Sequence, residues 1–315
     1  MASTLRSKLV HLVDSVAARA DHSLKHRNKA RQLATLAVDW VLRNEPIGDF
    51  RYPQLFVSYL HDWLREWAID VRIVKPIRNG EDPDDVRFKT LLDQLACGVP
   101  FAPLSIVQEA GRHADSIFDR TDVVGRTSWA ADVGLHFLVS SSLGQKARLL
   151  HSIVRNSRPK SYLELGTAYG ISALIAARTL AMLMDDWRLT TIEYRDQQFQ
   201  ISSSMLTSRF GDLIDCRLGQ SSQCLKDLHA DSRKFDFMFH DAAHSYDDYV
   251  SDFALAEPML GAGAVSLIDD IRWDDARFAT TSSRHCYDGW RAIVAHDRVR
   301  SAAELDGGMG IILLN

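Results

Sequence analysis

Two apolar runs in this chain end in clustered acids. Phe235, Phe237, Met238 and Phe239 make up the first, and His240 and Asp241 close it, with His244 three residues on. Val265, Leu267 and Ile268 make up the second, closed by Asp269 and Asp270. Runs this apolar suit strands buried on both faces. As neighbours in one parallel sheet they would bring Asp241, Asp269 and Asp270 to the same rim. Crowded carboxylates repel one another unless a cation sits between them. A hard divalent ion with oxygen ligands and retained waters fits such a set, Mg²⁺ by default. Histidine exchanges a proton near neutral pH, so His244 is a candidate base. The bland alternative gives each acid its own partner and makes His244 a cap for the helix that follows.

A second constellation precedes these. Tyr162, Leu163 and Leu165 form a short apolar strand, Gly166 and Gly170 bracket a turn, and a helix-like run follows from Ile171 to Leu180. A strand that enters a helix through a Gly-bearing turn brings backbone N–H groups close to a ligand. Glu164 lies inside the strand, and Glu193 ends the next one. Carboxylates at these places suit hydroxyl groups and a cationic ligand better than a pyrophosphate. The glycine spacing also falls short of the full dinucleotide fingerprint, which disfavours a nicotinamide dehydrogenase.

Strands and helices must hold these residues. From Leu189 to Ile268, strands expected at 189–193, 214–218, 235–240 and 264–268 alternate with helices at 197–209, 222–229 and 246–260. That alternation predicts an α/β fold with a parallel, doubly wound sheet, and ligands then bind outside the carboxyl ends of its strands. A closing pair of strands is expected near 297–302 and 309–314. Residues 1–134 show no strand pattern and are expected to form an N-terminal helical domain, ahead of a ligand-binding domain over 135–315. Leu9, Leu12, Val13 and Val16 share one helical face, and Phe56, Tyr59, Leu60, Trp63, Leu64 and Trp67 form an apolar stripe expected to pack against other helices. Asn79 to Asp85 reads as an acidic exposed loop, with helices over 87–95 and 103–117 beyond it.

Composition narrows the function classes. The chain has 315 residues, a net charge of −4, 46% hydrophobic and 25% charged residues, as in ordinary globular proteins. No whole-chain positive field recruits nucleic acid. The one basic cluster, Lys25 to Arg31, reads as a solvated helix face. Cys97, Cys216, Cys224 and Cys286 form no C-x-x-C pair, so free thiols and a cytoplasmic setting are expected. No apolar run reaches the ~18 residues that mark a membrane span, and Met1 to Ala20 lacks the apolar core of a signal peptide.

The segment from about Leu149 to Trp273 resembles the metal-dependent small-molecule O-methyltransferases of the class I S-adenosylmethionine (SAM) fold. The catechol O-methyltransferase type has a strand-end Asp, a base three residues later, then Asp-Asn on the next strand. Asp241, His244 and the pair Asp269-Asp270 match that order, and the Asp-x-x-His spacing with two acids is closer still to macrolide-sugar O-methyltransferases. The tail, from Asp270 to Trp273 and through Gly289-Trp290 to Gly308-Met309-Gly310, resembles a broad bacterial methyltransferase group. The resemblance implies a Rossmann-like, seven-stranded methyltransferase sheet. It implies SAM at Glu164, Gly166, Thr167, Gly170, Glu193, Tyr194, Gln220, Ser221 and Asp241, with Glu193 on the ribose hydroxyls. It further implies Mg²⁺ at Asp241, Asp269 and Asp270, His244 as general base, and a small-molecule hydroxyl, on a sugar or a phenol, as methyl acceptor. His244 stands where catechol enzymes have Lys, which argues against assuming a catechol. A neutral or cationic acceptor is expected, because the sequence shows no Arg/Lys pair placed to receive an anion. The helical N-terminal part is expected to cover the cofactor site or supply a subunit interface. An RNA-modifying O-methyltransferase is disfavoured by the acidic stretches at 81–85 and 247–252. A non-catalytic SAM-binding subunit is disfavoured by the intact set of Asp241, His244 and Asp269.

Overall fold

The structure, a computed structural model, describes residues 68–77, 82–99, 106, 109–110, 113, 145–242, 244–272, 286–305 and 308–315. The helices expected over 5–19 and 29–42, the basic cluster at 25–31 and the aromatic stripe at 56–67 lie outside them, as does most of 103–117. The chain divides into two compact units, one of residues 1–67 and 99–152, the other of residues 68–98 and 153–315. The second unit holds the sheet.

The described elements in chain order are β1 (Val71–Lys75), α1 (Pro83–Cys97), α2 (Gln145–Ser157), β2 (Ser161–Leu165), α3 (Ile171–Leu183), β3 (Arg188–Glu193), α4 (Asp196–Phe210) and β4 (Ile214–Leu218). Then come α5 (Ser221–Ala230), β5 (Phe235–His240), α6 (Tyr246–Ala256), β6 (Leu260–Ile268), α7 (Cys286–Ala295), β7 (Val299–Leu305) and β8 (Met309–Leu314). The sheet runs β1-β7-β8-β6-β5-β2-β3-β4. The strands β2 to β6 are parallel to their neighbours in this half, and β8, β7 and β1 join antiparallel. The chain order reverses between β2 and β5, the switch point where α/β sheets bind ligands.

Seven of these strands are the ones the sequence predicts. The eighth, β1, corrects the reading that the first 130 residues lack strands. Val71 to Lys75 pairs along one edge of β7, and its middle three residues are exposed. An edge strand exposed on both sides carries no inward-outward alternation to read. The acidic stretch near residue 82 is also more ordered than a loop. Asp82 caps α1 by accepting the N–H of Asp84 at 2.9 Å, and Pro83 opens the helix. Pro at the first position and acids in the first turn both favour a helix start.

The core lies on both sides of the central strands. Leu163, Leu165, Phe237, Met238, Phe239, Leu267 and Ile268 are wholly buried, at about 2 kcal/mol of apolar transfer each. At the antiparallel end, Trp290 of α7 lies over Gly310, where an added Cβ would come within 2.6 Å of the indole. No helix among the described residues is long and apolar enough to cross a membrane.

Candidate active site

The turn after β2 is built by close approach. Gly166 has φ +91°, and a Cβ there would fall 1.9 Å from the carbonyl oxygen of Asp241. The Asp241 N–H in turn donates to the Leu165 carbonyl at 2.9 Å. So the first turn and the end of β5 touch, and only glycine fits between them. Gly170 (φ +83°) opens α3 against Ser202, 2.9 Å from where a Cβ would sit.

Most N–H groups of this turn are spent inside the fold, which revises the expectation that they face a ligand. Those of Gly166 and Thr167 both donate to the Ile192 carbonyl at 3.0 Å, and that of Gly170 to the Thr167 carbonyl at 2.8 Å. The Ala168 N–H donates to Glu193 Oε2 at 2.7 Å. A pyrophosphate would find none of these four donors. Carboxylates dominate instead, as a cationic ligand requires.

Glu193 ends β3 and ties two loops together. Its Oε1 accepts the Arg195 N–H at 2.8 Å while Oε2 holds Ala168. It also stands beside β4, where the Gly219 N–H donates to the Glu193 carbonyl at 2.9 Å. Gln220 and Ser221 start α5 just beyond, at the same end of the sheet. Tyr194 is exposed, with the Arg195 guanidinium 5.1 Å from its ring centre.

Glu164 is wholly buried. Its Oε2 accepts the Thr191 hydroxyl at 2.5 Å, and the Thr167 hydroxyl is bonded to Thr191 in turn. Its Oε1 has no hydrogen-bond partner among the described residues. Burial pushes this carboxyl up to about 7; the hydroxyls of Ser172 and Thr191 beside it pull it back, and Glu193 nearby adds to the rise.

Across the switch point lie the acids. Asp241, His244 and Asp270 each offer an atom such that all three atoms lie within 4.8 Å of one another. His244 Nε2 is 3.0 Å from Asp270 Oδ2 and 3.9 Å from Asp241 Oδ1. All three are partly exposed. Asp269 does not join this group. It is buried, and its Oδ1 accepts the N–H of Asp270 at 2.8 Å. Its own N–H donates to the His240 carbonyl at 2.9 Å, and its carbonyl accepts the Tyr249 hydroxyl at 2.6 Å. Asp269 therefore braces the turn that presents Asp270, which has φ +52°. Of the three acids predicted to share an ion, the structure gathers two, and it adds the histidine.

Residues 163–271 match the family described as methyltransferase domain. Bovine catechol O-methyltransferase is 26% identical over 212 residues, 65% of this chain and 68% of that protein. The seven strands from β4 to β7 make up the seven-stranded sheet that this resemblance implies. The chain carries a SAM-dependent methyltransferase domain, similar to that of the catechol O-methyltransferases. An O-methyltransferase of Aspergillus hancockii, hkm8, is 32% identical over 133 residues, 39% of this chain and 49% of that protein. A solved O-methyltransferase from Bacillus cereus, in complex with SAH, is also similar, with a TM-score of 0.49 and 20% identity over 63% of this chain and 91% of that one.

The methyltransferase has one group at this rim that the sequence reading missed. Glu304, buried on β7, accepts hydrogen bonds from Arg72 and Arg272 on Oε2 at 2.6 and 2.5 Å, and from Tyr287 and Trp290 on Oε1 at 2.8 and 3.3 Å. Burial alone would raise its pKa, but the donors, Arg72 and Arg272 foremost, outweigh it and hold Glu304 at about 2. Arg272 follows Asp270 by two residues, which was a usable signal. Arg72 lies 232 residues from Glu304, and nothing local joins them.

Proposed function

We propose that this methyltransferase acts on a hydroxyl of a small molecule, with a divalent cation, Mg²⁺ by default, held by Asp241 and Asp270. The observation that carries the reading is the convergence of Asp241, His244 and Asp270 beside the Gly166 turn. Two carboxylates with their oxygens this close suit a hard cation, which would offset their repulsion. For SAM, the fit rests on the carboxylate-rich end of β2 and β3 and on the four turn N–H groups already spent within the fold. When bound, SAM supplies an electrophilic methyl, and the cation lowers the pKa of a hydroxyl it holds.

The rest is done by side chains. Glu193, already fixed by two backbone N–H groups, has lone pairs left for the ribose hydroxyls. His244 is the base proposed to take the proton of the acceptor hydroxyl, with its Nε2 turned to the carboxylates. The imidazolium formed is then held by Asp270 and Asp241. Asp269 and Tyr249 keep Asp270 in its left-handed conformation and so keep the pair aligned. Alignment of oxygen and methyl accounts for much of the rate in such transfers.

The test is methyl transfer from SAM to a panel of diols, with EDTA and with added Mg²⁺. EDTA should abolish turnover and Mg²⁺ restore it. Asp270→Ala should lower turnover at least ~100-fold, within the range for an essential acid-base or metal group, while SAH still binds by calorimetry. Full turnover in chelator would remove the metal from the proposal.

A further inference from the structure

The arginine pair at Glu304 sits on the same rim as the acids. Glu304 is in register with Gly310, and Gly310 with Ile268, the residue before Asp269. Two strand spacings separate Glu304 from that point, about 10 Å. Arg272 is closer, two residues beyond Asp270, and so at most about 7 Å along the chain. Arg72 comes from the opposite side, in register with Glu304 on the added strand β1.

Neutralising Glu304 needs one guanidinium, and two are supplied. Both side chains remain more than half exposed, 57% for Arg72 and 52% for Arg272, while Glu304 is 6% exposed. Each uses Nη2 on the carboxylate. An arginine carries five N–H donors, so most stay available on the outer side. The pair is also held in place. Arg272 lies 4.6 Å from the ring centre of Tyr287, and Arg72 Nη2 donates to the Tyr287 hydroxyl at 2.9 Å. With Tyr287 and Trp290 neutral, the group carries a net charge of one positive unit. Among the described residues it is a fixed fork of donors with one excess positive charge, next to the residues that would do the chemistry.

We propose that Arg272 and Arg72 form a specificity site for a monoanionic carboxylate on the methyl acceptor. The site rests on the proposed reaction at Asp241, His244 and Asp270, and it names the acceptor as a hydroxylated carboxylic acid. A carboxylate matches both the planar donor geometry of arginine and the single excess charge. A phosphate dianion would leave one negative charge unmatched beside the acidic rim. This revises the neutral or cationic acceptor expected from sequence, which assumed that no arginine pair faced the site.

The experiment is calorimetric binding to the protein loaded with SAH and Mg²⁺, using 3,4-dihydroxybenzoate and its neutral match 3,4-dihydroxybenzamide. The carboxylate should bind at least ~10-fold more tightly, as charge-assisted bonds outweigh neutral ones. In Arg272→Gln and in Arg72→Gln the ratio should fall to within about threefold, with SAH binding retained as the check on folding. Added inorganic phosphate should compete weakly; competition as strong as that of the benzoate would overturn the choice of carboxylate. Equal affinities in the wild type, no binding of either probe, or an unchanged ratio in both variants would overturn the site. A protein that fails to bind SAH at all would overturn the underlying reading first, so the two failures are distinct.

Discussion

Glu164→Gln should stabilise the ligand-free protein, and only above a definite pH. Glu164 is wholly buried, and its folded-state pKa is about 7 against an ordinary 4.5. A carboxyl whose pKa is raised by folding costs stability once the unfolded chain would ionise it. The cost begins near pH 4.5, grows until pH 7, and is constant above. At about 1.36 kcal/mol per unit, the full cost is about 3 kcal/mol. Glutamine keeps the shape and can still accept the Thr191 hydroxyl through its carbonyl, but it never ionises. Urea unfolding of both proteins from pH 4 to 8.5 checks this. The two should be nearly equal at pH 4, and the variant should lead by about 3 kcal/mol at pH 8 with an unchanged m-value. A variant no more stable than wild type at pH 8 would refute the reasoning. It would mean that the ionised carboxylate has a buried donor that offsets its desolvation.

Two further substitutions test other joints of the site. Gly166→Ala places a methyl 1.9 Å from the Asp241 carbonyl at φ +91°, so it should cost about 3 kcal/mol or more and weaken SAH binding; wild-type stability and affinity would show that β5 can yield there. Glu304→Gln should cost on the order of 2 kcal/mol at pH 7, a figure reduced because its arginine partners are half exposed. Its folded pKa of about 2 lies below the ordinary 4.5, so the wild-type stabilisation is present above pH 4.5 and lost as pH falls through about 2, a slope the variant should lack in acid unfolding followed by circular dichroism.

Local pattern carried the parallel half of the fold. Buried parallel strands read as apolar runs, so β2, β3, β5 and β6 were legible, and acids at the ends of three of them marked the rim. What the sequence could not show was which acid turns inward. Asp269 and Asp270 are neighbours of the same type, and the left-handed backbone of Asp270, with the hydrogen bond from its N–H to Asp269, decides between them. The spent N–H groups of the Gly166 turn were equally hidden. For Gly166, Thr167 and Ala168 the acceptors, Ile192 and Glu193, sit on a strand 25 or more residues downstream, and the register of β2 on β3 brings them there.

The missed strand has the largest functional consequence. β1 adds to β7 antiparallel, and that pairing sets Arg72 opposite Glu304. Without it, Glu304 would have one guanidinium and the group would be neutral. With it, the rim divides by charge. The parallel half ends in Glu193, Asp241 and Asp270, which suit cations. The antiparallel half ends in Arg72 and Arg272, which suit an anion. An acceptor that carries a carboxylate on one side and a hydroxyl on the other would be oriented by this division, with its hydroxyl toward His244. The N-terminal part of the chain was expected from sequence to cover the cofactor site or to supply a subunit interface. On the proposed arginine site, a five-residue strand from that part contributes half of the selecting charge. Exchange of Arg72 alone should therefore change which acceptor binds and leave SAH binding intact. An Arg72→Gln protein with the full carboxylate preference would sever β1 from selection and leave it a purely structural edge.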